Sequence, residues 1–302
     1  MAVTLPRTAP AYEVTAAGAT GSRAWRRFAL NPAAIVGSLI LLVMVSAAVA
    51  APWVAPHDPA KQSLLRRFTP PMWQAGGNAT YPLGTDQVGR DVLSRIIHGA
   101  RISLLVGVAA VLVSLVVGVS AGLASGFLGG KVDTVIGTIV DVWLSFPQLL
   151  LALAFVAALG PSLVTIIVVL GLTGWERYAR VVRAEVLALR EKEFVEASRS
   201  LGASDARIIW KEILPNLLGP IIVYTTLLIP QSILFEAALS YLGLGVPPQT
   251  ASWGGLLNDA QRFYDTAWWL MLFPGLMLVI TTLAFNLLGD GLRDALDVRA
   301  DR

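Results

Sequence analysis

The chain has 302 residues, of which 55% are hydrophobic and 14% charged, with mean hydropathy +0.67 and formal net charge +3. Soluble domains carry about 25% charged residues, so a water-soluble globule is excluded and much of the surface must face lipid. The absence of cysteine excludes a disulfide framework and any thiolate metal site.

Residues 1–31 form a polar leader, rich in Ala, Thr, Pro and Gly as far as Gly21, and read as a mostly disordered cytoplasmic segment. The first charge-free run, Ala33–Ala51, predicts a membrane helix over 32–54. Ala48-Val49-Ala50 looks like a signal-cleavage site. The apolar stretch is too long for a signal core and begins too far from the terminus, so it is expected to be an anchor. Residues 55–100 make a polar loop, expected outside. Uncharged runs then follow at Ile102–Gly130, Val142–Trp175, Asn216–Phe235 and Thr266–Gly289. The second of these is too long for one crossing, and Gly160-Pro161 divides it, because proline lacks an amide hydrogen and disfavours helix before it. One helix is therefore expected from about Asp133 to Leu159 and another from Ser162 to about Arg183.

These readings give an all-α integral membrane protein with six spans, centred near residues 43, 115, 146, 170, 227 and 278. A core of five helices occupies 101–290, with a cytoplasmic loop at 184–215 between spans 4 and 5 and a tail at 291–302. With both termini inside, inner segments hold 16 of the 23 Lys and Arg residues, eight of them between Arg177 and Lys211. The positive-inside bias places that loop and both termini in the cytoplasm. The pI near 9.4 follows from this asymmetry and requires no nucleic-acid partner.

Within the loop, Glu196-Ala197-Ser198 is followed by Gly202-Ala203 and, at the far end, by Leu214-Pro215. Gly202 is suited to ending a first helix. Ser204 is a plausible N-cap for a second, with Asp205 in its first turn, and Ile208, Ile209, Trp210, Ile213 and Leu214 give that second helix an apolar face. Pro215 is expected to close the unit. The plainer alternative is an amphipathic helix lying on the headgroups. Spacing favours another reading, since the segment resembles the EAA loop of ABC-importer permeases. There Glu-Ala-Ala, a Gly six residues on, and Leu-Pro recur in this register. Two positions depart from the pattern: Ser198 replaces the second Ala, and Glu212 stands where the motif has Ile. Glu236-Ala237-Ala238 repeats the letters without the Leu-Pro.

Three further segments narrow the resemblance. They are Tyr81–Arg95 with Gly99–Ser103, Phe235–Pro248 with Ser252–Gly254, and Asn286–Asp297. All are similar to dipeptide, oligopeptide and nickel permeases, and their order resembles the C-type subunit of such systems. The resemblance implies a heterodimer with a homologous permease subunit, two ABC ATPase subunits below and an extracytoplasmic substrate-binding protein above. It also implies that ATPase coupling falls on Glu196, Ala197, Ser198, Gly202, Ala203, Leu214 and Pro215. ATP and Mg would belong to the partners, leaving no cofactor, catalytic group or metal on this chain. Cargo stays open among dipeptides, longer peptides, nickel chelates and other small solutes. The rival class is an ATPase-independent secondary transporter, whose inverted repeat is not seen in the sequence.

Few polar groups fall inside the spans. Asp141, near the inner side of the third, and Glu236, near the outer end of the fifth, are candidates for the pathway or a subunit interface. A helix–helix hydrogen bond is the alternative for each. Pro147 and Pro230 are expected to kink their helices. Gly118, Gly122, Gly126 and Gly130 form a seam for close helix packing. The Thr85-Asp86 and Arg90-Asp91 cluster reads as a hydrogen-bonded elbow, with Arg95 and Arg101 snorkelling towards headgroups; the alternative is a scaffold near the docked substrate-binding protein. Ser125–Val132 lacks the first Gly and the final Ser/Thr of a phosphate loop. His57 and His98 have no metal-ligand partner at helical spacing.

Overall fold

The computed structural model describes residues 26–247 and 249–296. Most of the expected leader, Pro248 and the end of the expected tail lie outside them. The regular structure described is helical, apart from one isolated antiparallel bridge between Thr85 and Asp91.

Helix α1 (Pro32–Val49) starts on Asn31, whose side chain accepts hydrogen bonds from the amides of Ala33 (3.0 Å) and Ala34 (3.3 Å). Pro32 takes the first helical position, where no amide hydrogen is needed. Helix α2 (Val92–Leu128) is capped by Asp91, which accepts from the Ser94 amide. Its 37 residues reach about 55 Å at 1.5 Å each, well beyond one bilayer crossing. The helix thus takes in 92–100, which the sequence assigns to the outer loop.

Helices α3 (Gly130–Leu144) and α4 (Gln148–Leu159) replace the single helix expected over Asp133–Leu159, and they meet at 86°. Pro147 is the cause, since its missing amide and its effect on Phe146 break the ladder outright where only a kink is expected. Gly160, at φ +89°, ends α4 as anticipated. The helix expected over Ser162–Arg183 is likewise divided, into α5 (Leu163–Leu172) and α6 (Trp175–Arg190). At the interruption a β-carbon on Gly174 would lie 3.1 Å from the Ser114 hydroxyl and 3.0 Å from the Gln148 amide nitrogen.

Then come α7 (Glu193–Ser200), α8 (Asp205–Ile208), a π turn (Ile209–Ile213), α9 (Leu214–Tyr241), α10 (Trp253–Ala260) and α11 (Trp269–Leu296). Among the described helices, α1, α2, the continuous run Asp205–Tyr241 and α11 are long and apolar enough to cross a membrane. The bent α3–α4 pair would make a fifth span.

Helix α2 is the mast of the bundle. A β-carbon on Gly118, Gly122 or Gly126 would fall 2.4–2.8 Å from Tyr178, Val182 or Val186 of α6. These glycines therefore set how closely α2 and α6 approach. Gly130 does not belong to this seam, since nothing lies within 4 Å of it; with Gly129 it forms the turn into α3.

At the end of α2 near Val92, Asp86 is 2% exposed and holds Arg90 (2.6 Å) and Arg95 (2.7 Å), both of which also reach Asp259 at 3.1 Å. Its other oxygen accepts the amides of Val88 and Arg90. The Trp269 indole donates to the Thr85 carbonyl, locking this elbow to α11. The expected elbow is present, but Arg95 is buried in its ion pairs instead of reaching headgroups. Long-range charge pairing outcompetes solvation here because Asp259, 164 residues away, folds back over it.

Candidate functional site

The 193–215 segment is a two-helix unit standing on the bundle. Helix α7 ends in a Schellman turn, in which the Ala203 amide donates to the Ser198 carbonyl (3.1 Å) and the Gly202 amide to Arg199 (3.0 Å). This geometry places Gly202 at φ +79°, a conformation glycine adopts without steric cost. Ser204 then caps α8, its hydroxyl accepting from the Arg207 amide at 3.4 Å, with Asp205 in the first turn.

One face of the unit is anchored. Val195, Ile208 and Ile213 are fully buried, in a cluster with Phe127 of α2 and Val182 and Val186 of α6. The Ser198 hydroxyl donates to Glu212 at 3.4 Å and ties α7 to the π turn. Glu212 thus has a local role where the family motif carries an apolar residue. The opposite face is bare. Leu201 is 88% and Trp210 69% exposed, and Glu196, Ala197, Gly202 and Pro215 are exposed around them. Ser198, Ala203 and Leu214 are half-buried at its edge.

Two expectations change. Trp210 does not join the buried face with Ile208 and Ile213, because two residues of helix carry it about 200° round the axis from Ile208, while the π turn brings Ile213 onto the Ile208 side. Pro215 does not close the unit either. It sits in the first turn of α9, where a proline is tolerated, so α8, the π turn and α9 form one continuous rod. Leu201 and Val195, the most exposed and most buried apolar side chains of α7 and its turn, carry no mark in the motif. A leucine directly before the helix-ending glycine was the available signal for the first.

Asp141 and Glu236 fall in opposite environments. Glu236 is 0% exposed, accepting from Ser103 of α2 (3.0 Å) and Ser240 of its own helix (2.7 Å). Ser103 also accepts the amide of Trp253, so the carboxylate braces α2, α9 and α10 from inside this chain. Asp141 lies on the open side of α3, paired at 2.8 Å with Arg180 of α6. Its neighbour Trp143 donates from the indole to the Leu172 carbonyl, at the α5–α6 interruption.

A helical membrane subunit with broken spans and a projecting helix pair has close counterparts among solved structures. An inward-facing methionine ABC transporter, MetNI, aligns with TM-score 0.55 at 22% identity, covering 67% of this chain and 96% of that one. An amino acid ABC transporter aligns with TM-score 0.53 at 18% identity, over 66% and 92%. The fold is that of an ABC-transporter membrane subunit.

Residues 114–302 match the family described as binding-protein-dependent transport system inner membrane component, and residues 20–71 match the N-terminal TM domain of oligopeptide transport permease C. The chain is 45% identical over 273 residues to the di/tripeptide transport system permease protein DppC of Pseudomonas aeruginosa, covering 90% of each. The dipeptide permease DppC of Escherichia coli is 46% identical, over 90% of this chain and 91% of that one. That of Bacillus subtilis is 43% identical, over 92% and 86%. The chain belongs to the binding-protein-dependent transport system inner membrane component family, on its C-type permease branch.

Proposed function

We propose that this chain is the C-type transmembrane subunit of an ATP-driven importer of di- and oligopeptides, forming half of the translocation pathway. The observation that carries the coupling role is the two-faced 193–215 unit. Its aliphatic side is packed into α2 and α6, while Leu201 and Trp210 stand free for a socket on another protein. In this reading the protein sits in the bacterial plasma membrane as six spans with both termini cytoplasmic, and the unit faces two ABC ATPase subunits. A homologous permease subunit completes the pathway, and an extracytoplasmic binding protein supplies the cargo. ATP and Mg belong to the ATPases, and this chain does no chemistry of its own.

The continuous rod from Asp205 to Tyr241 gives the unit a lever. ATP-driven closure of the ATPases would move the α7–α8 tip, and α9 would transmit that displacement through the bundle. ATP would thereby favour the outward-open state and hydrolysis the inward-open one, a population shift driven by different contacts in each.

The test is Gly202→Asp in the reconstituted complex. No atom lies within 4 Å of a β-carbon at this position, so the substitution adds backbone strain of about 1 kcal/mol. It also puts an anion on the docking tip. Expected is normal membrane insertion with loss of ATPase stimulation by the loaded binding protein. Undiminished stimulation would overturn the coupling role.

A further inference from the structure

We propose that Asp141 and Arg180 face the aqueous translocation path and act as exchangeable counter-charges for the termini of a zwitterionic peptide in transit. This rests on the peptide-importer reading above.

Depth is the first argument. Ser125 of α2 donates to Asp133 of α3, and Ser114 of α2 donates to the carbonyl of Gly171, next to the Leu172 carbonyl that holds Trp143. Between these ties α2 advances 11 residues and α3 advances 10, about 15–17 Å each, so the two helices run side by side. Asp141 therefore lies level with about Val116 of α2, within the charge-free run Ile102–Gly130. The Asp141 and Arg180 side chains are nonetheless 72% and 61% exposed. Charges at that depth do not face hydrocarbon; they face a wet cavity or a polar partner.

The second argument is the shape of the surroundings. A cavity of about 370 Å³ opens between α3 and α6, lined by Asp133, Thr134, Gly137, Thr138, Asp141 and Arg180 among others. Nothing lies within 4 Å of a β-carbon at Gly137, so the floor between the two acidic residues is clear. The helical runs that carry Asp141 and Arg180 are both interrupted close by, at Ser145–Pro147 and at Thr173–Gly174. Secondary transporters place substrate sites where discontinuous helices meet, and the same juxtaposition is present here.

The two ion pairs of the cavity differ in kind. Asp133 is clamped by Arg183 through two bonds (2.5 and 2.7 Å) and by the Ser125 hydroxyl, a closed structural unit. The Asp141–Arg180 pair has a single bond between two mostly exposed groups, and opening such a pair costs little. A peptide ammonium on Asp141 and a carboxylate on Arg180 would replace one weak pair by two. Such near-neutral exchange suits a conduit, where binding must be favourable enough to enter and weak enough to leave.

The chain contains no cysteine, so Thr138→Cys, on the exposed wall of the cavity, is a unique thiol in it. The complete transporter with its ATPases, sibling permease and binding protein would be reconstituted in nanodiscs and cycled with ATP. A membrane-impermeant maleimide would be added with and without trialanine, and labelling of this chain read by mass spectrometry. Labelling is expected without peptide, slowed about threefold or more by saturating trialanine as the site fills. Asp141→Asn in the same background should retain labelling and lose the protection. A thiol that stays unlabelled, as under a sibling subunit, overturns the proposal, and so does labelling that trialanine does not slow. Import of trialanine by the wild-type transporter is measured in parallel in sealed proteoliposomes. If import proceeds without protection only this inference falls, whereas absence of import removes the peptide reading itself.

Discussion

Replacing Gly118, Gly122 and Gly126 in turn by Ala tests the α2–α6 seam at the points where the two helices approach. At Gly118 an added β-carbon would meet the Trp175 carbonyl and the Tyr178 β-carbon at 2.4 Å. At Gly122 the contacts are the Ala179 carbonyl and the Val182 β-carbon at 2.7 Å, and at Gly126 the Val186 β-carbon at 2.8 Å. Real carbon contacts lie near 3.5–4.0 Å, so α6 must retreat by roughly 1 Å at each site. Backbone oxygens and β-carbons, which no rotamer change moves, make these contacts at all three sites. Overpacking of this kind costs about 1–3 kcal/mol per site, with Gly118→Ala the most severe. Gly137 is the internal control. It has open space, and Gly→Ala in a helix gains about 0.5–1 kcal/mol. The assay is the midpoint of thermal loss of the monodisperse complex in detergent. The predicted order is Gly118→Ala below Gly122→Ala and Gly126→Ala, all below wild type, with Gly137→Ala at or above it. Equal midpoints for Gly118→Ala and Gly137→Ala would refute the seam.

Arg95→Ala strands the buried Asp86 with one fewer partner and leaves Asp259 with Arg90 alone. Removing one member of a buried pair costs about 3–5 kcal/mol, and chemical denaturation or expression yield will show it, whereas Arg101→Ala, at an exposed position, should change little. Glu236→Gln keeps an acceptor and adds a donor to a site of hydroxyls that rotate, so it should stay near wild type. Glu236→Leu leaves Ser103 and Ser240 without acceptors at about 1–3 kcal/mol each, and the two variants are compared by thermal stability. Leu201→Ser and Trp210→Ser remove exposed apolar surface that this chain does not use. Fold stability should therefore be unchanged while co-purification of the ATPases drops, as measured by stoichiometry after affinity capture.

Local chemistry was legible in the sequence. Gly202 ending α7, Ser204 capping α8 and Gly160-Pro161 separating two helices all depend on backbone angles set by one or two residues. Pro147 was legible only as a disturbance. Whether a proline kinks a helix or turns it by 86° depends on what holds the two arms, here the Trp143–Leu172 bond on one and the packing of Ala152 and Val156 with Ile166 and Val169 on the other. The alignment of Ile208 with Ile213 was hidden for a similar reason. Their spacing of five suits a π turn and not an α-helix, and Trp210, about 200° from Ile208, stays on the open side.

Composition alone decided that this is a helical membrane protein, because long uncharged runs have no other low-energy environment. The motif spacing decided the family, because a docking handle must keep a fixed geometry for its socket. Only the tertiary structure decided the fate of the charges. Asp86 with Asp259, Glu236 with Ser103 and Asp141 with Arg180 are separated by 173, 133 and 39 residues. Whether a charge is buried, bonded or open to a path is a property of what folds against it. One carboxylate became an internal brace and another an exposed member of a loose pair through packing that no local pattern records.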